Sequence, residues 1–284
     1  MKLRTLIFLG GLFGGMNVIK GQAFYGTTGL LHAPTAVMQK DKTVMLGGNM
    51  LDVNILSRYW VRSEYHSYTY NYYINCTLFP WLEVAYTCTL VKGIHGSSYW
   101  PQQTWGRFTN QDRSFHFRLR AGKEGWWKAW THQVVIGEND PGSHSSHGCG
   151  DIDWGGGGSG NHNYLTRYYL AATKHVEFSG IGTVGVHVAW VIGKAMSDVH
   201  YSRPAAGINF YFGIKGEGFW QKALNGFNLM AEVCPGHAED LHTATYTVNV
   251  GGTYSIWKDH INLIAELNDG KYFIGGIFFK LRRK

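Results

Sequence analysis

The sequence predicts an all-β protein: a single antiparallel transmembrane β-barrel of the outer-membrane type with about twelve strands. Three observations predict it. Beyond residue 42 the dominant pattern is alternation of apolar and polar residues, the alternating segments are even in number and about ten residues long, and as far as about residue 194 long polar connections alternate with short turns. Composition agrees. The 284 residues include 26 Lys and Arg and 19 Asp and Glu, a charged fraction of 16%, well below the roughly 25% of an ordinary soluble domain. Aromatics (15%) and 38 glycines take their place. The chain is too apolar for disorder, has no three-residue Gly period, and contains no internal run of the ~18 apolar residues that a membrane helix needs.

Residues 1–23 read as a secretory signal peptide. Lys2 and Arg4 precede an uncharged run from Thr5 to Ile19, and Gly21 and Ala23 stand at cleavage-site spacing. Residues 24–42 follow as a leader, expected in the periplasm or in the barrel lumen, and 43–284 as the barrel. The expected location is the outer membrane, with its lipid as a partner. The formal net charge is +7, of which Lys2, Arg4 and Lys20 carry three units. What remains is too small and scattered to suggest a nucleic-acid partner. Export permits disulfides. Cys76 and Cys88 fall out of register and read as small apolar surface residues, whereas Cys149 and Cys234 could form a bridge.

The strands are expected near 43–50, 69–78, 82–92, 113–121, 129–138, 163–174, 181–192, 206–214, 227–234, 243–256, 260–268 and 271–281. In the second, Tyr70, Tyr72, Ile74, Cys76 and Leu78 form one face, and Asn71, Tyr73, Asn75 and Thr77 the other. The fourth sets Phe115, Phe117 and Leu119 against His116, Arg118 and Arg120. A face with two arginines cannot be the core of a β-sandwich without costly pairing, so the apolar faces are assigned to lipid and the polar faces to the lumen. Asn268-Asp269-Gly270 is a tight-turn signal. No tryptophan is expected in mid-strand, which suits an interfacial girdle.

The lumen should hold a charge cluster of Glu83, Arg118, Arg120, Arg167, Glu232 and Glu266, either salt-bridged to one another as a plug of side chains or lining a pore for a polar or anionic solute. Between Asn139 and His162, His144, His147 and Cys149 could supply zinc ligands, but their glycine-rich surroundings would not pre-organise a site. No metal or cofactor is expected. There is no G-x-S-x-G nucleophile elbow. A barrel-borne hydrolase would need a His beside a Ser or carboxylate at one rim.

Several blocks carry a family resemblance: Gly26-Thr-Thr-Gly-Leu30, Ala33-Pro-Thr-Ala36, Phe79-Pro-Trp-Leu-Glu-Val84, Asp112-Arg-Ser-Phe115, Phe117-Arg-Leu-Arg120, Lys123-Glu-Gly125, Tyr168-Tyr-Leu-Ala-Ala-Thr-Lys174 and Val248-Asn-Val-Gly251. In these the chain resembles the YjbH-like exopolysaccharide-associated outer-membrane proteins of Gram-negative bacteria. The resemblance implies a non-enzymatic accessory role in producing or secreting exopolysaccharide or capsule, with polysaccharide or its secretion machinery as partners. The alternatives are a small-solute channel and, less favoured, the hydrolase. Asp112, Arg113, Ser114 and Phe115 are the most specific block. They read as a turn or strand start in which Asp112 caps backbone groups.

Overall fold

The computed structural model describes residues 21, 23–52, 68–93, 95–96, 101–139, 167–194, 200–238, 244–257 and 259–282. Alternation along the chain gives each strand one face to bury and one to expose, and closure of the sheet leaves no edge. The result is a closed, up-and-down antiparallel barrel of twelve strands in which β1 pairs with β12. The strands are β1 (Thr43–Asp52), β2 (Tyr68–Phe79), β3 (Leu82–Lys92), β4 (Phe108–Gly122), β5 (Gln133–Asn139), β6 (Arg167–Phe178), β7 (Gly182–Lys194), β8 (His200–Phe212), β9 (Phe227–Ala238), β10 (Ala244–Trp257), β11 (Ile261–Asn268) and β12 (Tyr272–Arg282). A short helix, α1 (Phe219–Leu224), lies between β8 and β9. No described helix is long and apolar enough to cross a membrane.

Several bounds differ from the sequence expectation. β4 starts at Phe108 rather than 113, because β3 pairs with it as far as Lys92. β5 starts at Gln133 rather than 129, because the residues before it fold into a turn with Gly125 at φ 71°. β6 extends to Phe178, paired throughout with β7. β8 starts at His200 and includes Pro204. Its pairing with β9 begins only at Ala206, so the proline lies where the strand is paired on one side, the place a residue without N–H tolerates.

Along β2 the outward Tyr70, Tyr72, Ile74 and Leu78 are exposed and the inward Asn71, Tyr73, Asn75 and Thr77 buried. The same holds around the wall, where Phe115, Phe117, Leu119, Val186, Val188, Ile192, Val248 and Val250 are all exposed. The outer face is thus a continuous apolar band. Cys76 is half-buried on it, but Cys88, expected at the surface, is fully covered between Tyr72 and Arg113 of the flanking strands. Cys234 is a free, buried thiol, and Cys149 lies outside the described residues.

The start of β1, the end of β12 and the connections after β2, β4, β6, β8 and β10 share one end, called here the short-turn end. Trp81, Trp126, Trp127, Trp130, Trp220 and Trp257 all project there and are exposed. Trp190 departs from the expectation: it lies within β7, opposite Pro204. At the opposite end, Asp269 (φ 50°) and Gly270 (φ 65°) turn β11 into β12, the left-handed pair that a tight hairpin requires.

Inside, three glycines sit directly opposite tyrosines on the next strand: Gly47 and Tyr73, Gly137 and Tyr169, Gly193 and Tyr201. Each tyrosine ring occupies the space that a Cβ on the glycine would need, so the ring lies flat on the wall and fills volume without crowding the centre. Gly137→Ala is therefore expected to destabilise the folded barrel by about 1–3 kcal/mol, read as a lower urea midpoint. Gly122→Ala, where an added Cβ would meet nothing closer than 3.8 Å, should change stability by less than about 0.5 kcal/mol.

Candidate functional site in the barrel lumen

Residues 23–42 run inside the barrel as a re-entrant segment. Both limbs meet the wall at the short-turn end. Gly21 is hydrogen-bonded through its backbone to Tyr211, Gln133 Nε2 donates to the Ala36 carbonyl (2.5 Å), and Lys42 N–H donates to the Thr77 carbonyl (2.8 Å). Between these points the segment reaches the far half of the lumen, where Asn71 Nδ2 donates to the Phe24 carbonyl (2.8 Å) and Thr87 Oγ1 to that of Tyr25 (2.7 Å).

The segment is held in two ways. Phe24, Leu30, Leu31, Ala33, Ala36 and Met38 join one buried apolar cluster with Val135, Ala171, Ala189, Val191, Ala205 and other inward wall residues. The inward faces of β5 to β8 are small and apolar where the segment's leucines lie, and the Leu30 side chain occupies the space beside Gly207. Burial of Leu30, Leu31 and Met38 contributes about 1.5–3 kcal/mol each.

The second hold is electrostatic and falls on the segment's backbone. Arg118 Nη1 pairs with Glu83 Oε2 (3.0 Å), Nε donates to the Tyr169 hydroxyl (3.1 Å), and Nη2 donates to the carbonyls of Thr35 (2.5 Å) and Val37 (2.8 Å). Glu83 also accepts from Thr28 N–H (2.7 Å) and Asn75 Nδ2 (2.8 Å). Glu232 accepts from three successive backbone N–H groups, Leu31 (3.0 Å), His32 (2.7 Å) and Ala33 (3.0 Å), and from Asn249 Nδ2 (2.9 Å). His32 Nε2 lies 3.0 Å from the Glu266 carboxylate. Arg167 donates to the His32 carbonyl (2.8 Å) and to Asn139 Oδ1 (2.8 Å), and its guanidinium lies 4.2 Å from the centre of the Tyr25 ring.

The six lumen charges nominated from sequence thus do not form one mutually paired cluster. Glu83 and Arg118 pair directly, while Glu232, Glu266 and Arg167 act chiefly on the re-entrant segment. Arg120 stands apart near the short-turn rim, its Nε without a hydrogen-bond partner among the described residues. The correction has a physical cause: once the backbone occupies the lumen, its N–H and C=O groups are nearer partners than charges on distant strands. Sequence reasoning did not single out Tyr169, Tyr25, His32 or Thr28. A signal for them existed in the apolar inward positions Val135, Ala171, Ala189, Val191 and Ala205, which a water-filled lumen does not explain.

The Asp112–Phe115 block is not a turn. It lies inside β4, with Asp112, Arg113 and Ser114 opposite Thr89, Cys88 and Thr87; Ser114 is buried and Arg113 exposed. His144, His147 and Cys149 lie outside the described residues, and among the described residues no group of three or more His, Cys, Asp or Glu side chains could hold a metal.

A His beside a carboxylate does occur at the short-turn rim. His175 Nδ1 lies 2.7 Å from Glu124 Oε2, His175 N–H donates to Glu124 Oε1 (2.9 Å), and Lys174 Nζ lies 3.1 Å from the same carboxylate. Partial burial pushes the Glu124 carboxyl up, but these contacts outweigh it and hold its pKa at about 2. The nearby hydroxyl of Thr173 is buried and bonded to His187 and to Ala36 N–H, not to His175.

The sequence comparisons bear on this region. Residues 21–145 match the YjbH family, described as exopolysaccharide biosynthesis protein YbjH. The YjbH match takes in the re-entrant segment and β1 to β5, and so includes Thr28, Glu83, Arg118 and the Asp112–Phe115 block. The blocks Tyr168–Lys174 and Val248–Gly251, read from the sequence as part of the same resemblance, lie outside the match. No match is found among curated proteins.

Two outcomes are expected. Glu83→Gln leaves the Arg118 charge buried without its counter-ion and should cost about 3–5 kcal/mol, part of it recovered in the Glu83→Gln, Arg118→Met double variant; urea titrations of all three variants measure this. Glu124 has a folded-state pKa below the ~4.3 of an unfolded Glu, so its contribution is present above pH ~4.3 and is lost as pH falls towards about 2. Glu124→Gln should flatten the stability profile in that acid window.

Proposed function

We propose that this protein is an outer-membrane barrel with a closed lumen that serves, without catalysis, as an accessory in the production or secretion of exopolysaccharide or capsule. The YjbH match over residues 21–145 carries the polysaccharide link. The apolar outer band, the even strand number and the exposed tryptophans at the short-turn end support the membrane setting. A role without catalysis is favoured because, among the described residues, the rim pair Glu124 and His175 has no hydroxyl nucleophile as a hydrogen-bond partner and is tied into a structural turn.

Deletion of the gene should lower surface polysaccharide, and the wild-type gene should restore it; unchanged polysaccharide would remove the accessory role. The small-solute channel is the weaker reading, because residues 23–42 fill the lumen with packed side chains and backbone hydrogen bonds. Purified protein in planar bilayers should conduct almost nothing, and large steady openings would favour the channel.

A further inference from the structure

We propose that the short-turn end carries a lipid-headgroup surface, formed by two aromatic and basic shelves that seat on the anionic glycerophospholipids of one bilayer leaflet. This rests on the membrane reading above and adds the chemistry of the lipid that the protein selects. One shelf is the connection from Lys123 to His132, with Trp126, Trp127, Lys128 and Trp130. The other is α1 and the residues before it, with Lys215, Phe219, Trp220, Lys222 and Leu224.

The connections after β2 and β6 show that this barrel can turn its strands within a few residues. The two shelves instead fold structure of their own and hold their aromatics outwards. In the first, Gly125 N–H donates to the Thr131 carbonyl (3.1 Å), Thr131 N–H to that of Lys128 (2.8 Å), and Lys128 N–H to Thr131 Oγ1 (3.0 Å). Lys174 Nζ, reaching from β6, holds the Ala129 carbonyl (2.5 Å), and Glu124 is fastened to His175. In the second, Ile214 and Asn225 exchange two hydrogen bonds of 2.9 Å that close the loop around α1.

The aromatics so held are more exposed than the lipid-facing band. Trp126 is 71% exposed, Trp220 74% and Phe219 75%, against 46% for Leu119 in the wall. Fixed tryptophans at the end of an apolar band match the headgroup level of a bilayer, where an amphipathic ring is at home.

Charge selects the headgroup. Lys123, Lys128, Lys215 and Lys222 are exposed, and Lys128 Nζ lies 4.6 Å from the centre of the Trp127 ring. Of the acids at this end, Glu124 is held by Lys174 and His175, Asp259 by Lys280, and Asp41 lies 3.9 Å from Arg282, which leaves Glu217 in the second shelf and Glu177 at the end of β6 exposed against the four lysines. A basic and aromatic surface continuous with an apolar wall attracts anionic lipid by about 1 kcal/mol per lysine near the surface. A protein partner is the competing occupant.

The test uses the full-length exported chain folded into phosphatidylcholine vesicles that contain a minor fraction of brominated phosphatidylglycerol, or of brominated phosphatidylcholine in its place. Quenching is read in the wild type and in Trp126→Phe/Trp127→Phe/Trp130→Phe, whose difference isolates the first shelf. Brominated phosphatidylglycerol should quench the shelf signal several-fold more effectively at equal mole fraction. Lys128→Gln should weaken that preference about fivefold while heat-modifiable gel migration stays that of the wild type.

A folded, heat-modifiable protein whose shelf is quenched equally by both lipids, or not at all, overturns this proposal and leaves the membrane reading standing. Failure of the wild type to become heat-modifiable in any vesicle overturns both.

Discussion

A buried guanidinium is tolerated only where each of its donors meets an acceptor, because removing the ion from water costs several kcal/mol. Arg118 fixes the geometry of this molecule in that way. Its donors are met by a carboxylate on β3, a hydroxyl on β6 and two carbonyls of the re-entrant segment, so four parts of the chain must be in register at once. Glu232 imposes the converse condition on three consecutive N–H groups of the same segment. Wall and segment therefore specify each other. The wall supplies charges that water would otherwise solvate, and the segment supplies backbone groups that would otherwise lie buried without partners.

The same arrangement solves a problem of volume. A barrel of twelve strands is wider than one whose wall side chains meet at the centre. Here the space is taken by a length of the chain itself, by an apolar cluster that it forms with inward residues of β5 to β8 and of β1, β2, β9, β11 and β12, and by tyrosine rings laid over glycines. The buried asparagines carry polar contacts onward without adding charge: Asn209 to Asn228, Asn268 to Asn249, and Asn49 to Asn71. An interior built from neutral amides, in which Glu83, Arg118, Arg167, Glu232 and Glu266 each have named partners, suits a closed barrel better than a conduit.

Much of the fold was legible because alternation is a local property. Tyr70 to Leu78 and Phe115 to Leu119 declare their outward face in sequence, and the turn at Asp269 and Gly270 declares itself by residue type. The bounds of β4 and β8 were less legible because pairing with a neighbour decided them. Thr89 and Lys92 of β3 carry Asp112 and Phe108 into the sheet, and one-sided pairing admits Pro204. Of the lumen site, the identity of the inward charges was legible from parity, but their partners were not. Glu232 and Arg167 bind backbone groups of residues far away in sequence, and no periodicity encodes such contacts. The one trace left in the sequence is compositional: Val135, Ala171, Ala189, Val191 and Ala205 face a lumen that would be lined with polar groups if it held only water.

The central claim is that residues 23–42 occupy the lumen as part of the folded core. Amide hydrogen exchange on the folded protein tests it most directly. The account predicts that Thr28, Leu31, His32, Ala33 and Ala36, whose N–H groups are bonded to Glu83, Glu232 and Thr173, exchange as slowly as amides in the middle of β2 and β11. Exchange at these five positions at the rate of an unstructured chain, while the strands remain protected, would contradict it.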